Sequence, residues 1–386
     1  VEGLRNRVWG IHTCRLSRAK LAKNPLIIKN LSYLCDLFLK LMKVQEHFCL
    51  KDKHSFHLNV TARYWAEYRN TDELGEILQD KRFNKLPVLP VGGGCNLLFT
   101  RDFPGLVIKS AISGWDIVHE NEEEVVLRVG SGLDWDQFVE SCVSQGWGGI
   151  ENLSGIPGLT GATPIQNIGA YGVEAKEVIR YVEVFDRQTR SLLVLPVEEC
   201  GLAYRNSRFK QEWKDRFIVC YITYRLNKKP AYRLDYGNLN EVLRSQGGLQ
   251  EGPEAHRGNL AMIRRAVLAI RSSKLPDPAV LGNAGSFFKN PELDVATYSA
   301  LAERFPELPH WELPGNKVKV SAAWMIEYCG WKGKSMGRAG VYPKQALVLV
   351  NLGDARGEEI YNLYQHIVAD VHKAFGISLQ PEVVVL

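Results

Sequence analysis

A chain of 386 residues is longer than one hydrophobic core usually supports, so two or three domains are expected, each able to bury a core of its own. With 45% hydrophobic and 24% charged residues it reads as globular, and a net charge of +5 suits an anionic small substrate while falling short of the basic stripe that nucleic-acid binding needs. The eight cysteines (Cys14, Cys35, Cys49, Cys95, Cys142, Cys200, Cys220 and Cys329) include no C-x-x-C pair, which implies reduced, mostly buried thiols in a cytosolic protein and no metal site; His54 and His57, near Cys49, are read as part of a surface loop.

Residues 1–43 stand apart from the rest. Seven basic residues (Arg5, Arg7, Arg15, Arg18, Lys20, Lys23, Lys29) face only Glu2 among the first thirty positions, and an apolar, helix-like run from Leu26 to Met42 is interrupted by Lys29, Asp36 and Lys40. Those charges exclude a spanning helix, and no small-residue cleavage site completes a secretory signal. A transit peptide is one reading of the segment. The preferred one is an upstream extension that is not part of the fold, with Met42 as the natural start.

From Ala62 the pattern becomes α/β, with a short helix over Asp72–Leu78 and a buried strand over Leu86–Val91. That strand runs into Gly92-Gly93-Gly94-Cys95-Asn96, a candidate phosphate loop. Leu97 stands where G-x-G-x-x-G would place its third glycine, so a nicotinamide-type Rossmann fingerprint is not supported. A strand over Val125–Val129 and a helix over Asp134–Gln145, stopped by Gly146, lead into Ser154–Glu174. This stretch has five glycines and two prolines and no charge before Glu174. Its composition suits a wall of backbone N–H groups around a phosphate or cofactor ring, joined by the polar side chains of Thr160, Thr163, Gln166 and Asn167. A buried crossover loop between core strands is the competing reading.

Beyond it, Val182–Phe185 and Leu192–Val197 form an expected hairpin and Phe217–Leu226 a strong strand, with a surface turn as the default for Cys200–Lys210. Glu251–Gly258 is a polar connector, followed by a helix over Asn259–Ser273 with Leu260, Ile263, Val267 and Ile270 on one face. The segment Gly282–Pro291 is a third unusual loop. Helices over Ser321–Cys329 and Arg356–Phe375 flank a strand over Ala346–Val350, and the chain closes on an apolar Val383–Leu386. Gly333-Lys334-Ser335 ends like a P-loop, but Tyr328 replaces the first glycine, and Gly285-Ser286 lacks the surroundings of a nucleophile elbow.

The loops GGGCN, IPGLTGATPIQNIGAYGVE and GNAGSFFKNP, in this order, closely resemble those of the UDP-N-acetylenolpyruvoylglucosamine reductase family, from about Glu46 to the C-terminus. Tyr204-Arg205 in AYRNSRFK, Tyr236-Gly237, KLPDP, Gln345-Ala346-Leu347 and the final PEV are further landmarks, and Tyr236 suggests the longer form in which a tyrosine loop closes over substrate. The resemblance implies an α+β or α/β fold: a two-part FAD-binding module of the vanillyl-alcohol-oxidase/PCMH type and a C-terminal α+β substrate-binding domain. The expected spans are 44–112 and 113–257 for the two FAD subdomains and 258–378 for the substrate domain, with 379–386 returning to the first.

By the same resemblance, FAD is the cofactor and NADPH the co-substrate. Gly92, Gly93, Gly94, Cys95 and Asn96 from the first loop, and Ile156, Pro157, Gly158, Gly161, Ala162, Asn167, Gly169, Ala170, Tyr171, Gly172 and Val173 from the second, would hold FAD. Ser286 corresponds to the proton donor, Arg205 and Glu382 flank the enolpyruvyl carboxylate, and Tyr204, Tyr236, Lys274, Asn290 and Gln345 bind the remaining substrate. Read without the resemblance, Ser286 is a turn residue and Glu382 a surface carboxylate at a strand end. Hydride would pass from NADPH through flavin N5 to the methylene carbon, building negative charge that Arg205 spreads before Ser286 delivers a proton. The implied protein is a cytoplasmic monomer of peptidoglycan synthesis, acting on UDP-N-acetylglucosamine enolpyruvate, with no nucleic-acid partner and no stable membrane insertion.

Two departures stand out. The family's N-T-F-G is His54-Ser55-Phe56-His57 here, and a serine of the first flavin loop is Cys95, a weaker donor, so FAD is expected to bind with a weaker contact there. The rival readings are a flavin-dependent alcohol or sugar oxidase on the same FAD fold and a non-catalytic nucleotide-sugar or flavin sensor.

Overall fold

The structure, a computed structural model, describes residues 44–386 apart from positions 253 and 254; the expected helix-like run Leu26–Met42 and the leader before it lie outside the described residues. Glu46–Leu386 forms one compact unit. Its first sheet is built from β1 (Val44–Cys49), β2 (Thr61–Tyr68), β3 (Val88–Val91) and β5 (Phe103–Ser110) in the order β1-β2-β5-β3, with β5 parallel to both β2 and β3. The two-residue β4 (Leu97–Leu98) follows the glycine loop. The expected helix is present as Thr71–Leu78, capped by the Asn70 side chain on the Glu73 N–H.

The second sheet is antiparallel, as its hairpin-like sequence predicts. It takes β6 (Trp115–Glu120), β7 (Glu124–Gly130), β10 (Ile179–Asp186), β11 (Ser191–Pro196) and β12 (Phe217–Asn227) in the order β11-β10-β12-β7-β6. The helix Trp135–Gln145 lies against it, capped by Asp134 and stopped by Gly146 in a left-handed conformation. Between them the long glycine stretch folds as a 3-10 turn over Thr160–Ala162, one helical turn over Thr163–Gln166, and a hairpin of β8 (Gly169–Ala170) and β9 (Val173–Glu174). The two residues at its tip, Tyr171 (φ 48°) and Gly172 (φ 80°), have the positive φ that a type I′ turn requires.

The helix His256–Lys274 comes next, longer at its N-terminus than expected, so the polar connector is shorter than Glu251–Gly258. Leu260, Ile263, Val267 and Ile270 are buried as their spacing predicts. Asp136, on the helix Trp135–Gln145, ties this helix to the glycine stretch: it pairs with Arg264 and accepts the Gly155 N–H at 2.6 Å. The strands β13 (Asn283–Ser286), β14 (Glu292–Asp294), β15 (His310–Leu313), β16 (Lys317–Val320), β17 (Ser335–Met336), β18 (Ala339–Val341), β19 (Val348–Asn351) and β20 (Val384–Val385) complete the fold. They form sheets ordered β13-β19-β18-β17 and β14-β16-β15, while β20 pairs in parallel with β4. Helices Val295–Arg304, Ala322–Tyr328 and Gly357–Phe375 cover them.

Three expectations are corrected. The segment Gly282–Pro291 is not all loop, since Asn283–Ser286 pairs with β19. His54 is buried, its ring packed against Phe99, rather than set in a surface loop. The Thr160 and Thr163 hydroxyls do not line a ligand wall: they turn inward to the Gly130 carbonyl (2.6 Å) and the Tyr224 hydroxyl (2.6 Å). One hydrophobic core joins the first sheet to the C-terminal part, from Leu50, Trp65 and Val107 to Phe287, Ile367 and Val383, while the second sheet has its own core around Trp135, Phe138 and Tyr224.

Candidate functional site

The two glycine loops face each other. A Cβ on Gly93 would lie 3.0 Å from the Gly158 Cα, and one on Gly92 would touch Ala162 and Leu159. Gly94 is required twice over: its φ is 66°, and a Cβ there would lie 2.3 Å from the Lys53 carbonyl oxygen. Gly158, at φ 129°, has nothing within 4 Å of where a Cβ would stand, so at that point the paired loops present bare backbone to open space, as binding an anionic cofactor through N–H groups would require. The Cys95 thiol donates to the Gly93 carbonyl at 3.4 Å, and burial pushes it up to about 11, so it stays a neutral thiol at the loop. The Asn167 side chain is engaged within the protein, with Glu174, the Ala203 carbonyl and the Lys176 N–H.

The segment 53–57 fastens this cradle to the Ser286 strand. The Ser55 N–H donates to the Gly94 carbonyl at 3.2 Å, and the Ser55 carbonyl accepts from the Asn283 N–H at 2.9 Å. His57 occupies the family's glycine position with a φ of 54°, the left-handed region that favours glycine, and its ring reaches the Pro278 carbonyl at 2.9 Å. The C-terminal strand closes the other side: the Asn96 amide donates to the Glu382 carbonyl at 3.2 Å, and the Glu382 N–H donates to the Phe287 carbonyl at 2.7 Å. Glu382 thereby comes to lie beside the residue that follows Ser286.

Arg205 reaches the same place from Cys200–Lys210, which is a wall of the site and not the expected surface turn. Its Nε lies 2.9 Å from Glu382 Oε1, and its Nη2 donates to the Gly169 carbonyl at 2.6 Å. Both partners of this pair are mostly buried, at 18% and 17% side-chain exposure. Two further residues complete the cluster: Gln166, expected in a cofactor wall, and Lys210, which the sequence does not single out. Gln166 donates to Glu382 Oε1 at 3.0 Å, and Lys210 donates to Gln166 Oε1 at 2.8 Å. Burial, with the nearby Lys289, lowers Lys210 to about 8, against the opposing pull of Glu382.

The predicted substrate residues divide. Tyr204 is half-buried between the cations of Arg205 and Lys319, 5.3 and 4.9 Å from its ring, and burial raises its hydroxyl despite Arg205. Tyr236 is exposed and meets the hairpin-tip Tyr171 edge to face at 6.2 Å. Asn290 caps the helix Ala322–Tyr328 through the Ala322 N–H at 3.0 Å, and Gln345 folds back onto the Leu347 N–H at 3.3 Å. Lys274 ends its helix exposed to solvent. Ser286 is half-buried on β13 beside Gly285, whose α-carbon faces open space. Among the described residues no group of His, Cys, Asp and Glu is placed to hold a metal ion.

Residues 62–192 match the FAD binding domain, and residues 277–386 match the C-terminal domain of UDP-N-acetylenolpyruvoylglucosamine reductase. A UDP-N-acetylenolpyruvoylglucosamine reductase of Bacteroides fragilis is 43% identical over 340 residues, covering 88% of this chain and 99% of the relative. The chain belongs to the UDP-N-acetylenolpyruvoylglucosamine reductase family. The Pseudomonas aeruginosa reductase of this family is 42% identical over 341 residues, covering 98% of its own length. The reductase of Thermus caldophilus shares the fold, with a TM-score of 0.61 and 22% identity over 88% of this chain and 97% of that one.

The expected fold class therefore holds: an FAD-binding module precedes the family's C-terminal domain. Tyr204, Arg205, Lys210, Tyr236 and Lys274 fall between the two matched spans, whereas Ser286, Asn290, Gln345 and Glu382 fall within the second. The ion pair Arg205–Glu382 thus joins a linking segment to the family's C-terminal domain. Sequence reading places Gln166 in a cofactor wall, whereas its side chain bridges Glu382 and Lys210. Lys210 carried no signal beyond the F-K that ends its segment.

Proposed function

We propose that this chain reduces the enolpyruvyl ether of UDP-N-acetylglucosamine enolpyruvate to UDP-N-acetylmuramate with NADPH as reductant, the reductase step of peptidoglycan synthesis. The observation that supports this most is the meeting of Arg205, Gln166 and Lys210 with Glu382 beside the Ser286 strand, a half-buried, cation-rich polar cluster next to two bare glycine loops. The loops Gly92–Asn96 and 156–173 hold FAD through backbone N–H groups. Bound FAD supplies the hydride relay between NADPH and substrate.

Everything else falls to side chains. Arg205 engages three partners among the described residues, Glu382, Gly169 and Asn167, which leaves two of its roughly five N–H donors for the substrate carboxylate. That carboxylate gains electron density as the double bond is reduced, and a guanidinium in a low-dielectric site stabilises it most at that moment. Ser286 delivers the proton, and Glu382 orients the group that receives it. Tyr204, Tyr236, Lys274, Asn290 and Gln345 hold the nucleotide sugar. We take the chain to act as a monomer, and the six described cysteines are free thiols, which fits the reducing cytoplasm. Among the described residues no helix is long and apolar enough to cross a membrane.

An anaerobic titration tests the reading. NADPH should bleach the flavin absorbance of the purified protein, and the enolpyruvyl nucleotide sugar should restore it without oxygen. Restoration by oxygen alone would assign an oxidase, and a colourless protein that cannot be reconstituted with FAD would remove the flavoenzyme reading altogether.

A further inference from the structure

Behind the Glu382 carboxylate stands a side chain with no assigned part in the reaction. Lys210 closes the 3-10 turn Arg208–Lys210, and its ammonium donates to Gln166 Oε1 at 2.8 Å and to the Arg205 carbonyl at 3.4 Å. An ammonium has three donors and no acceptor, so the Gln166 amide must turn its oxygen to Lys210 and its NH2 to Glu382 Oε1, 3.0 Å away. The flipped amide would set donor against donor at one end and oxygen against carboxylate at the other. Glu382 Oε1 therefore accepts a hydrogen bond from Gln166 Nε2 and is ion-paired with Arg205 Nε at 2.9 Å, and Lys210, on the far side of the Gln166 amide, decides which end of that amide faces the carboxylate.

We propose that Lys210 is a positioning residue for the enolpyruvyl carboxylate: through Gln166 it fixes the Glu382–Arg205 pair in the geometry that receives that group. The inference rests on the reductase reading above. The charged groups facing Lys210 are Arg205 from its own segment, Lys289 from the loop after Ser286, and Glu382 from the C-terminal segment. Burial and the two cations ease its proton off near pH 8, against Glu382, so the charge behind the carboxylate weakens just above neutral pH. Loss of that charge lowers the positive potential at the carboxylate subsite and leaves an amine that can accept as well as donate, so the amide is no longer held to one orientation.

The test uses the FAD-loaded enzyme and the variants Lys210→Met and Lys210→Arg. Calorimetry of enolpyruvyl nucleotide sugar binding, without NADPH, should show Lys210→Met binding about tenfold or more weakly, while flavin bleaching by NADPH stays within about twofold of wild type. Substrate reduction by the wild type should fall on the basic side with a midpoint near 8. In Lys210→Arg, whose guanidinium stays charged, that limb should move up by more than about one pH unit. Unchanged binding in Lys210→Met, or an unmoved basic limb in Lys210→Arg, overturns the proposal. Should Lys210→Met fail to fold, the limb of Lys210→Arg still decides. If the wild type itself does not reduce this substrate, the reductase reading has failed instead, and the two failures are distinguished.

Discussion

Ser286 sits at the end of β13, paired with Val348, one residue before the carbonyl that accepts the Glu382 N–H. Its backbone is fixed on both sides while its hydroxyl is only half-buried, the arrangement expected of a group that must meet a substrate without moving the strand. Ser286→Ala removes the hydroxyl and leaves the pairing intact. Flavin bleaching by NADPH should then stay within about twofold of wild type, while substrate reduction slows by roughly two to four orders of magnitude. Rapid-mixing measurements of the two half-reactions check this, and equal loss in both would take the proton-donor role away from Ser286. At this scale the residues alone make Ser286 a turn residue, and only the family resemblance of its loop gives it a role. The sequence was silent on Lys210, because a lysine in a polar segment is ordinary until the fold shows what its ammonium touches.

The expected helices and strands mostly appear within a few residues of their predicted bounds, since apolar spacing and caps such as Asn70, Asp134 and Ser321 are local properties. The strand β13 was read as loop because a glycine-rich run has no side-chain alternation to reveal pairing; β19 supplies its partner from sixty residues onward. The C-terminal strand makes the same point. Val384 and Leu386 donate to the Asn96 and Leu98 carbonyls at 3.0 and 2.8 Å, and the Leu386 carbonyl accepts from both the Thr100 N–H and its hydroxyl. Deleting Val384–Leu386 keeps Glu382 but removes four hydrogen bonds that brace the first glycine loop, each worth about 1 kcal/mol net. The shortened protein should purify with a lower flavin-to-protein absorbance ratio and melt several degrees lower, by about 5 °C or more. Unchanged flavin content and melting would show that the loop holds its shape without β20.

Across the molecule, the first sheet and the C-terminal part share one core, so the support of the first glycine loop depends on residues at both ends of the described chain. His54 lies inside that junction. Burial, against the Leu58 carbonyl that its Nε2 meets at 3.2 Å, and with the nearby His57 charge, lowers its pKa to about 4, and its Nδ1 has no partner. An unfolded histidine takes up its proton near 6.5, so between about 6.5 and 4 the unfolded state binds more protons than the folded one. Folding must therefore weaken as pH falls through that window, by an amount on the order of 3 kcal/mol. His54→Asn, the family's residue, should flatten this part of the profile in denaturant titrations at stepped pH; a variant that loses stability as steeply as wild type would place the acid sensitivity elsewhere.

The sequence by itself determined the two glycine loops, the periodic helices and the family, because each rests on residue types whose backbone freedom or spacing is set locally. Only the tertiary structure decided which polar side chains share a site. Arg205, Gln166, Lys210 and Glu382 lie up to 216 residues apart and meet because β20 pairs with β4 and the Phe287 carbonyl receives the Glu382 N–H. Those are long-range backbone contacts between short, unpatterned segments, and nothing in the local composition of either partner specifies the other.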